Sequence, residues 1–380
     1  AWTGDSIKDR GIDEVTQLQD ITPNLRINRN FGQSTPRYAI RGVGELTNSS
    51  TISSSPVAVH INEVGQPYPV TTTNLLFDLE RVEILRGPQG DLFGINTTGG
   101  TVNYITAKPT DEFTGSVLAE YGAYDRYKVE AFVSGSLSEA FSARFAFSHN
   151  ERNEGPQHNV DTGEEFGRFK KSGARLTLDW HPNENFDAQL VLHTSKDDSE
   201  PLGPRSIDTF VLAGLTAAPA PEAIDNYWGV RWTPDPPTNP NQGRPSLDHE
   251  GSGGSLTMQY QFENVLLTSV TGVESFDRSE FLDYDGNIAQ DGYQVFLSDL
   301  SLFSQELRLS SSNDAMSWMV GANYASDELD QTTIFDQADN VDFPSTAGQN
   351  PLQKRDVKSV FGNVEYALND RWSITGGLRY

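Results

Sequence analysis

From about Phe113 to Tyr380, apolar and polar side chains alternate one for one in stretch after stretch. That period of two commits this part of the chain to β-strands. Tyr127, Val129, Ala131, Val133 and Leu137 alternate with Lys128, Glu130, Ser134 and Ser136. Phe141, Ala143, Phe145 and Phe147 alternate with Ser142, Arg144 and Ser148, and Ala174, Leu176, Leu178 and Trp180 with Arg175, Thr177 and Asp179. Further faces of the same kind run over 256–262, 318–324, 360–368 and 372–380. A membrane barrel turns such an apolar, aromatic-tipped face to lipid. A soluble sandwich buries it instead, so alternation alone does not separate the two.

The connections separate them. Short turns lie near Ser138-Glu139, 182–185, Glu263-Asn264, Asn313-Asp314 and Asn369-Asp370. Long polar connections lie at roughly 151–171, 197–251, 279–299 and 327–355, and only the hairpin at 122–125 breaks the rule. Short turns at one end and long loops at the other are the mark of an outer-membrane barrel. About eleven strands are expected, where plugged transporters carry about 22.

Composition narrows the class further. A formal net charge of -25 denies the chain the basic footprint that nucleic acid requires. There is no cysteine, so neither disulfides nor thiolate metal sites are available. No run of 18 apolar residues could form a transmembrane helix. The mean hydropathy of -0.51 is compatible with strands apolar on one face only.

Residues 1 to about 110 read differently, as a small α+β unit. Residues 6–18 predict a short helix with Ile7, Ile12, Val15 and Leu18 apolar, and 23–27 a strand after a turn. Residues 79–109 predict a strand (Val82, Ile84), a Gly87-Pro88 turn, a glycine-rich crossover and a second strand (Val102, Tyr104) stopped by Pro109.

This last segment, with Gly87, Pro88, Gly90, Gly94, Gly99, Gly100 and Asn103, closely resembles the plug-domain signature of TonB-dependent outer-membrane receptors. It departs at Asp91, where those receptors carry a small hydroxyl residue, and at Ile95, where Arg is common. Ile40-Arg41-Gly42-Val43-Gly44 is similar to a second element of that family. Residues 57–64 are similar to a third, with Asn62-Glu63 in place of Asp-Gly and therefore open to a different turn.

The resemblance implies a mainly β protein: a plug domain at 1–110, then at 111–380 about half of an antiparallel transmembrane β-barrel. It would lie in the outer membrane of a Gram-negative bacterium. It implies a receptor rather than an enzyme, taking up a scarce nutrient such as an iron-siderophore or similar metal chelate. An energy-coupling TonB-type partner would drive it. The signal peptide and coupling box of such a receptor do not precede Ala1, so a fragment is expected. The alternatives are a passive porin-like channel and a soluble β-rich carbohydrate-binding or adhesin protein.

No catalytic constellation, cofactor motif or metal-ligand pair stands out, and the six histidines are scattered. Arg41 and Arg86 each precede a glycine at the end of an apolar strand, and inside a polar lumen each would require a carboxylate. Family plugs are held by arginines facing barrel glutamates, so the resemblance implies a latch from Arg41 and Arg86 to Glu120, Glu130, Glu306 or Glu365. Ligand contacts are expected from the apices around Asn48 and Tyr68, and from Tyr227, Trp228 and Trp232 in the long loop. Those loop aromatics could stack on a flat ligand or pack the loop on itself. The acidic stretch beginning at Asp327 reads as a solvated loop.

Overall fold

The computed structural model describes residues 1–29, 34–44, 55–73, 76–90, 94, 96–158, 165–202, 245–283, 293–313, 315–337, 345–369 and 371–380. Strand β1 (Trp2–Thr3) leads into α1 (Gly4–Lys8), whose first turn is capped by the Thr3 hydroxyl accepting from the Ser6 amide at 3.2 Å. The helix expected over 6–18 stops early. Gly11 takes φ +63°, its amide bonds to the Lys8 carbonyl, and the chain reverses. It resumes as a 3-10 turn at Val15–Gln17 and as α2 (Leu18–Ile21). Ile7, Ile12, Val15 and Leu18 are nevertheless all buried, so the apolar spacing marks a shared core reached by a bent chain.

Two small sheets complete this N-terminal unit. Strands β2 (Leu25–Asn28), β3 (Arg37–Ile40) and β4 (Val43–Gly44) form one, in that order. The second comprises β5 (Val57–Ile61), β6 (Val64–Gly65), β7 (Leu79–Arg86) and β8 (Gly100–Thr106), with β1 on its edge, in the order β1-β7-β8-β5-β6. The two strands expected in the glycine-rich segment pair with each other, Val82 against Tyr104 and Ile84 against Val102. Their apolar faces meet Ile7, Val15, Leu18, Ile27 and Ile40 in one core. Tyr38 and Tyr104 are wholly buried there. The Tyr38 hydroxyl lies 3.2 Å from that of Tyr104 and 3.1 Å from that of Thr72, so the buried polar atoms are satisfied.

The rest of the chain builds a large antiparallel wall. Its strands are β9 (Thr114–Gly122), β10 (Arg126–Ser138), β11 (Phe141–Arg152), β14 (Phe169–Asn183), β15 (Phe186–Ser199), β16 (Ser246–Phe262), β17 (Val265–Asp283), β18 (Tyr293–Ser312), β19 (Met316–Gln337), β21 (Leu352–Asn369) and β22 (Trp372–Arg379). Each pairs with the next, and the short β20 (Ser345–Gln349) adds to β19. A separate ribbon, β12 (Gln157–His158) with β13 (Glu165–Phe166), lies in the connection after β11. The short turns all fall at one end of the wall, and the hairpin at 123–125 sits with the long connections. Parts of the expected loops are strand: 279–283, 293–299 and 327–337 stay in the ladder, with Leu282, Val295, Phe296 and Leu329 buried among their polar residues. The antiparallel ladder satisfies backbone groups in water as it does in lipid.

The outward face carries Phe145, Trp180, Leu307, Val320, Val364 and Trp372, all exposed. Aromatics gather at both margins. Near the short turns Phe141 stacks on Trp180 at 5.9 Å, and nearer the loops Phe303 meets Tyr324 at 6.2 Å. Above the second margin, Glu250, Asp277, Asp299 and Asp330 stand opposite one another across four strands, all exposed. Four carboxylates at strand spacing require water, so this row marks where an apolar surrounding must end.

Candidate functional site

The other face of the wall grips the N-terminal unit, and the grip is the site. Asp78, at φ +50° before the body of β7, accepts from the Arg144 Nε at 2.9 and 3.1 Å and from its Nη2. Arg144 lies over the Phe132 ring at 3.7 Å, and both members of the pair are buried. Arg175, one strand on, donates to the Phe77 carbonyl at 2.8 Å and the Asp78 carbonyl at 3.2 Å. Deep in a low-dielectric seam such charge-assisted bonds resist loss, because either partner left alone is a buried charge.

A second group forms at Asp13 and Glu14. The Gln17 carboxamide accepts both of their amides, at 2.7 and 2.9 Å, and so orients the two carboxylates. Asp13 meets Lys128 at 2.6 Å and Arg126 at 2.5 Å, and Glu14 meets Lys171 at 3.1 Å and Arg29 at 3.2 Å. Lys128 also reaches Glu130 at 2.9 Å. Burial would raise the Asp13 carboxyl, but Lys128 and Arg126 outweigh it and hold it below the usual range. Lys171 beside Glu14 lowers its carboxyl to about 2, against burial.

A third contact is the β5–β6 hairpin. Asn62 and Glu63 take φ +48° and +69°, so the turn keeps the primed geometry that Asp-Gly would give. The possibility of a different turn is thereby corrected. Asn62 fixes it to β8 by accepting the Thr106 amide at 3.0 Å. Glu63 then pairs with Arg308, which also holds Glu306 at 3.1 Å. Glu63→Gly should relax the left-handed turn while losing the pair, whereas Glu63→Ala loses the pair and keeps the strain. The alanine variant should therefore be less stable than the glycine variant by about 1 kcal/mol, read by calorimetry.

Farther round, the unit contributes neutral groups. The Tyr68 hydroxyl donates to Asp327 at 2.6 Å, and Asp327 is held by Arg355 at 2.9 Å. Gln66 donates to Glu274 at 3.4 Å, and Glu274 meets His193 at 3.0 Å. Ser34 donates to the buried Glu280, which Arg278 and His249 also hold. Apolar contacts accompany them: Tyr68 and Val70 against Phe276, Leu300 and Leu329, and Val64 against Val270 and Leu302.

Between the five-stranded sheet and the strands from β14 to β22 lies a cavity of about 920 Å³ lined by His60, Glu63, Glu83, Asn103, Glu306, Arg308 and Arg379 among others. Burial pushes His60 down to about 4, with Arg379 adding to the shift. On acidification His60 therefore contributes fully above about 6.5 and loses its contribution as pH falls through about 4. Glu14 contributes fully above about 4.5 and loses it as pH falls through about 2. Thermal stability should fall in two stages, and Glu14→Gln should flatten only the lower one in melts at stepped pH.

Arg41 and Arg86 are not brought to the carboxylates named for the latch; the ion pairs to the wall that are present run mainly the other way. Arg41 and Arg86 are exposed, and among the described residues neither has a carboxylate at ion-pair distance. The carboxylates of the main pairs belong to the N-terminal unit and the cations to the wall. Glu130 and Glu306 serve only as second partners of Lys128 and Arg308. Glu120 and Glu365 are exposed and unpaired among the described residues. Gly42, Gly44, Gly87, Pro88, Gly90, Gly94, Gly99, Gly100 and Asn103 lie in or beside the β3–β4 turn, β8 and the crossover from β7 to β8. Tyr68 is buried against the wall rather than placed at an open apex. Asp327, read as part of a solvated loop, is a buried wall residue. Asn48, Tyr227, Trp228 and Trp232 lie outside the described residues. Among the described residues no cluster of His, Asp and Glu is arranged to hold a metal ion.

Comparison with known proteins places this geometry. Residues 1–101 match the family described as TonB-dependent Receptor Plug Domain. The pesticin receptor of Yersinia pestis is 24% identical over 179 residues, 47% of this chain and 26% of that protein. The ferripyoverdine receptor of Pseudomonas aeruginosa is 30% identical over 142 residues, 37% of this chain and 17% of that protein. The crystal structure of the ferric yersiniabactin uptake receptor FyuA from Yersinia pestis superposes with a TM-score of 0.80 at 18% identity, over 99% of this chain and 55% of that one. The chain thus spans about half the length of that solved receptor, and its alignments take in about a quarter or less of the curated relatives.

Proposed function

Because residues 1–101 are a TonB-dependent receptor plug seated against a curved antiparallel wall, we propose that this chain supplies the plug and part of the barrel of an outer-membrane uptake receptor. The plug occupies about 1–110 and the barrel begins near 111. The cargo is a metal chelate of the siderophore class, and a TonB-type partner powers its passage. The observation that carries the reading is the seam: a folded stopper held by a limited set of ion pairs, beside a cavity of about 920 Å³ lined by polar and apolar side chains together. The names of two similar proteins, receptors for ferripyoverdine and ferric yersiniabactin, support the chelate class. The work is binding and gating, with no covalent step.

The test is uptake of radio-iron as ferric yersiniabactin and as ferric pyoverdine by cells expressing the full-length receptor, with and without the energy-coupling partner. Accumulation that requires both receptor and partner is expected. Uptake that persists without the partner would mean a passive channel. A full-length protein that purifies in water without detergent would overturn the membrane assignment altogether.

A further inference from the structure

Residues 1–25 are held in two different ways. Up to Ile12 the fastenings are local. β1 makes two register pairs with β7, the Trp2 indole donates to Thr22 at 3.0 Å, and Ile7 and Ile12 are buried in the plug's own core. Among the described residues Asp5, Lys8, Asp9 and Arg10 make no ion pair with the wall. The chain then reverses at Gly11, and immediately afterwards Asp13 and Glu14 enter their group of four cations. Three of those cations, Arg126, Lys128 and Lys171, stand on β10 and β14, and Lys128 and Lys171 are themselves largely buried. Glu130 and Asp197, at 2.9 and 3.7 Å, hold the two lysines from the far side, so the cations cannot swing away with the plug.

We propose that Asp13 and Glu14 are a fixed pin in the plug: residues 1–12 detach as one unit, and the chain from Val15 onward stays seated against β10 and β14. Gly11 is the hinge at the boundary. Leaving the seat requires the carboxylates to break several buried pairs together, whereas residues 1–12 give up a two-residue edge strand, the Trp2 indole bond and the packing of Trp2, Ile7 and Ile12, none of it ionic. Detachment removes Ile7 and Ile12 from beneath the five-stranded sheet and frees the edge of β7, so the pin limits how far disturbance spreads. For its role in uptake this inference rests on the receptor reading above; its test does not.

The test is amide hydrogen exchange, by mass spectrometry, on the full-length receptor in detergent micelles. In the unaltered protein, peptides within 1–12 should exchange roughly 100-fold faster than those within 15–25. The double variant Asp13→Asn, Glu14→Gln should bring the second group to within about threefold of the first. Ile7→Ala should speed exchange in 1–12 and leave 15–25 unchanged. The pin is refuted if 1–25 exchange together in the unaltered protein, or if the double variant preserves the step between the groups. Should the double variant leave the whole plug unprotected, Ile7→Ala decides. Acceleration that stops at Asp13 upholds the pin, and acceleration that runs past it overturns it. None of these readouts needs a cargo, so a failed uptake assay leaves the result intact.

Discussion

Arg144→Ala should unseat the plug, lowering the stability of its docked state by about 3–5 kcal/mol. The reason is what the substitution leaves behind. Asp78 is about 7% exposed, and without Arg144 its carboxylate faces Phe77 and the Arg175 bonds to main-chain carbonyls, none of which replaces a bidentate partner. The loss should appear twice. Calorimetry of the full-length receptor should show a separate early transition, and planar-bilayer recordings should show ion conductance absent from the parent. Asp78→Asn turns one acceptor oxygen into an amide donor facing Arg144 and leaves that buried guanidinium without its carboxylate, so it should lose a comparable amount. A change below about 1 kcal/mol for Arg144→Ala would mean that the pair is solvated like a surface salt bridge, and that the apolar contacts around Val64 and Tyr68 hold the plug.

Gly100→Ala is the second large effect. Gly100 takes φ +139°, and a β-carbon there would lie 2.2 Å from the Leu85 carbonyl oxygen and 3.0 Å from the Ile40 side chain. The oxygen belongs to the β7–β8 ladder and cannot withdraw without opening it. A loss of at least about 3 kcal/mol follows from strain and disrupted packing together. Gly87→Ala is the matched control: φ is +92°, but nothing lies within 4 Å of the added carbon. Only the conformational penalty of about 1 kcal/mol applies there. Equal melting points for the two variants would refute the steric argument.

Much of this fold was legible in the residues. The outward face of β11 reads directly from Phe141, Ala143, Phe145 and Phe147, because the two faces of one sheet impose opposite chemistries on alternate positions. The β7–β8 pair was legible because glycine spacing leaves few ways to close that crossover. The helix at 6–18 was over-read, since four apolar residues at helical spacing also suit a bent chain with a left-handed glycine in the middle. A seam with its carboxylates on the N-terminal unit was not read. Its signal was nonetheless present: Lys128, Arg144 and Arg175 occupy the inward parity of their strands, where a cation must find an anion. Considering only inward carboxylates hid this, and nothing local marks Asp13, Glu14 or Asp78 as their partners. Asp78 and Arg144 are 66 residues apart, and their meeting depends on how the sheet wraps the plug.

Strands β16, β17, β18, β19 and β21 are taller than a bilayer crossing demands. About 9–11 residues suffice for one, yet β19 has 22 and β18 has 20. At about 3.3 Å per residue and a tilt near 40°, the surplus extends this side of the wall roughly 25 Å beyond such a crossing. The row of carboxylates at Glu250, Asp277, Asp299 and Asp330 lies at the foot of that extension, on β16 to β19. On this side, among the described residues, the upper wall is built of paired strands, and their cross-strand hydrogen bonds fix its height and curvature together.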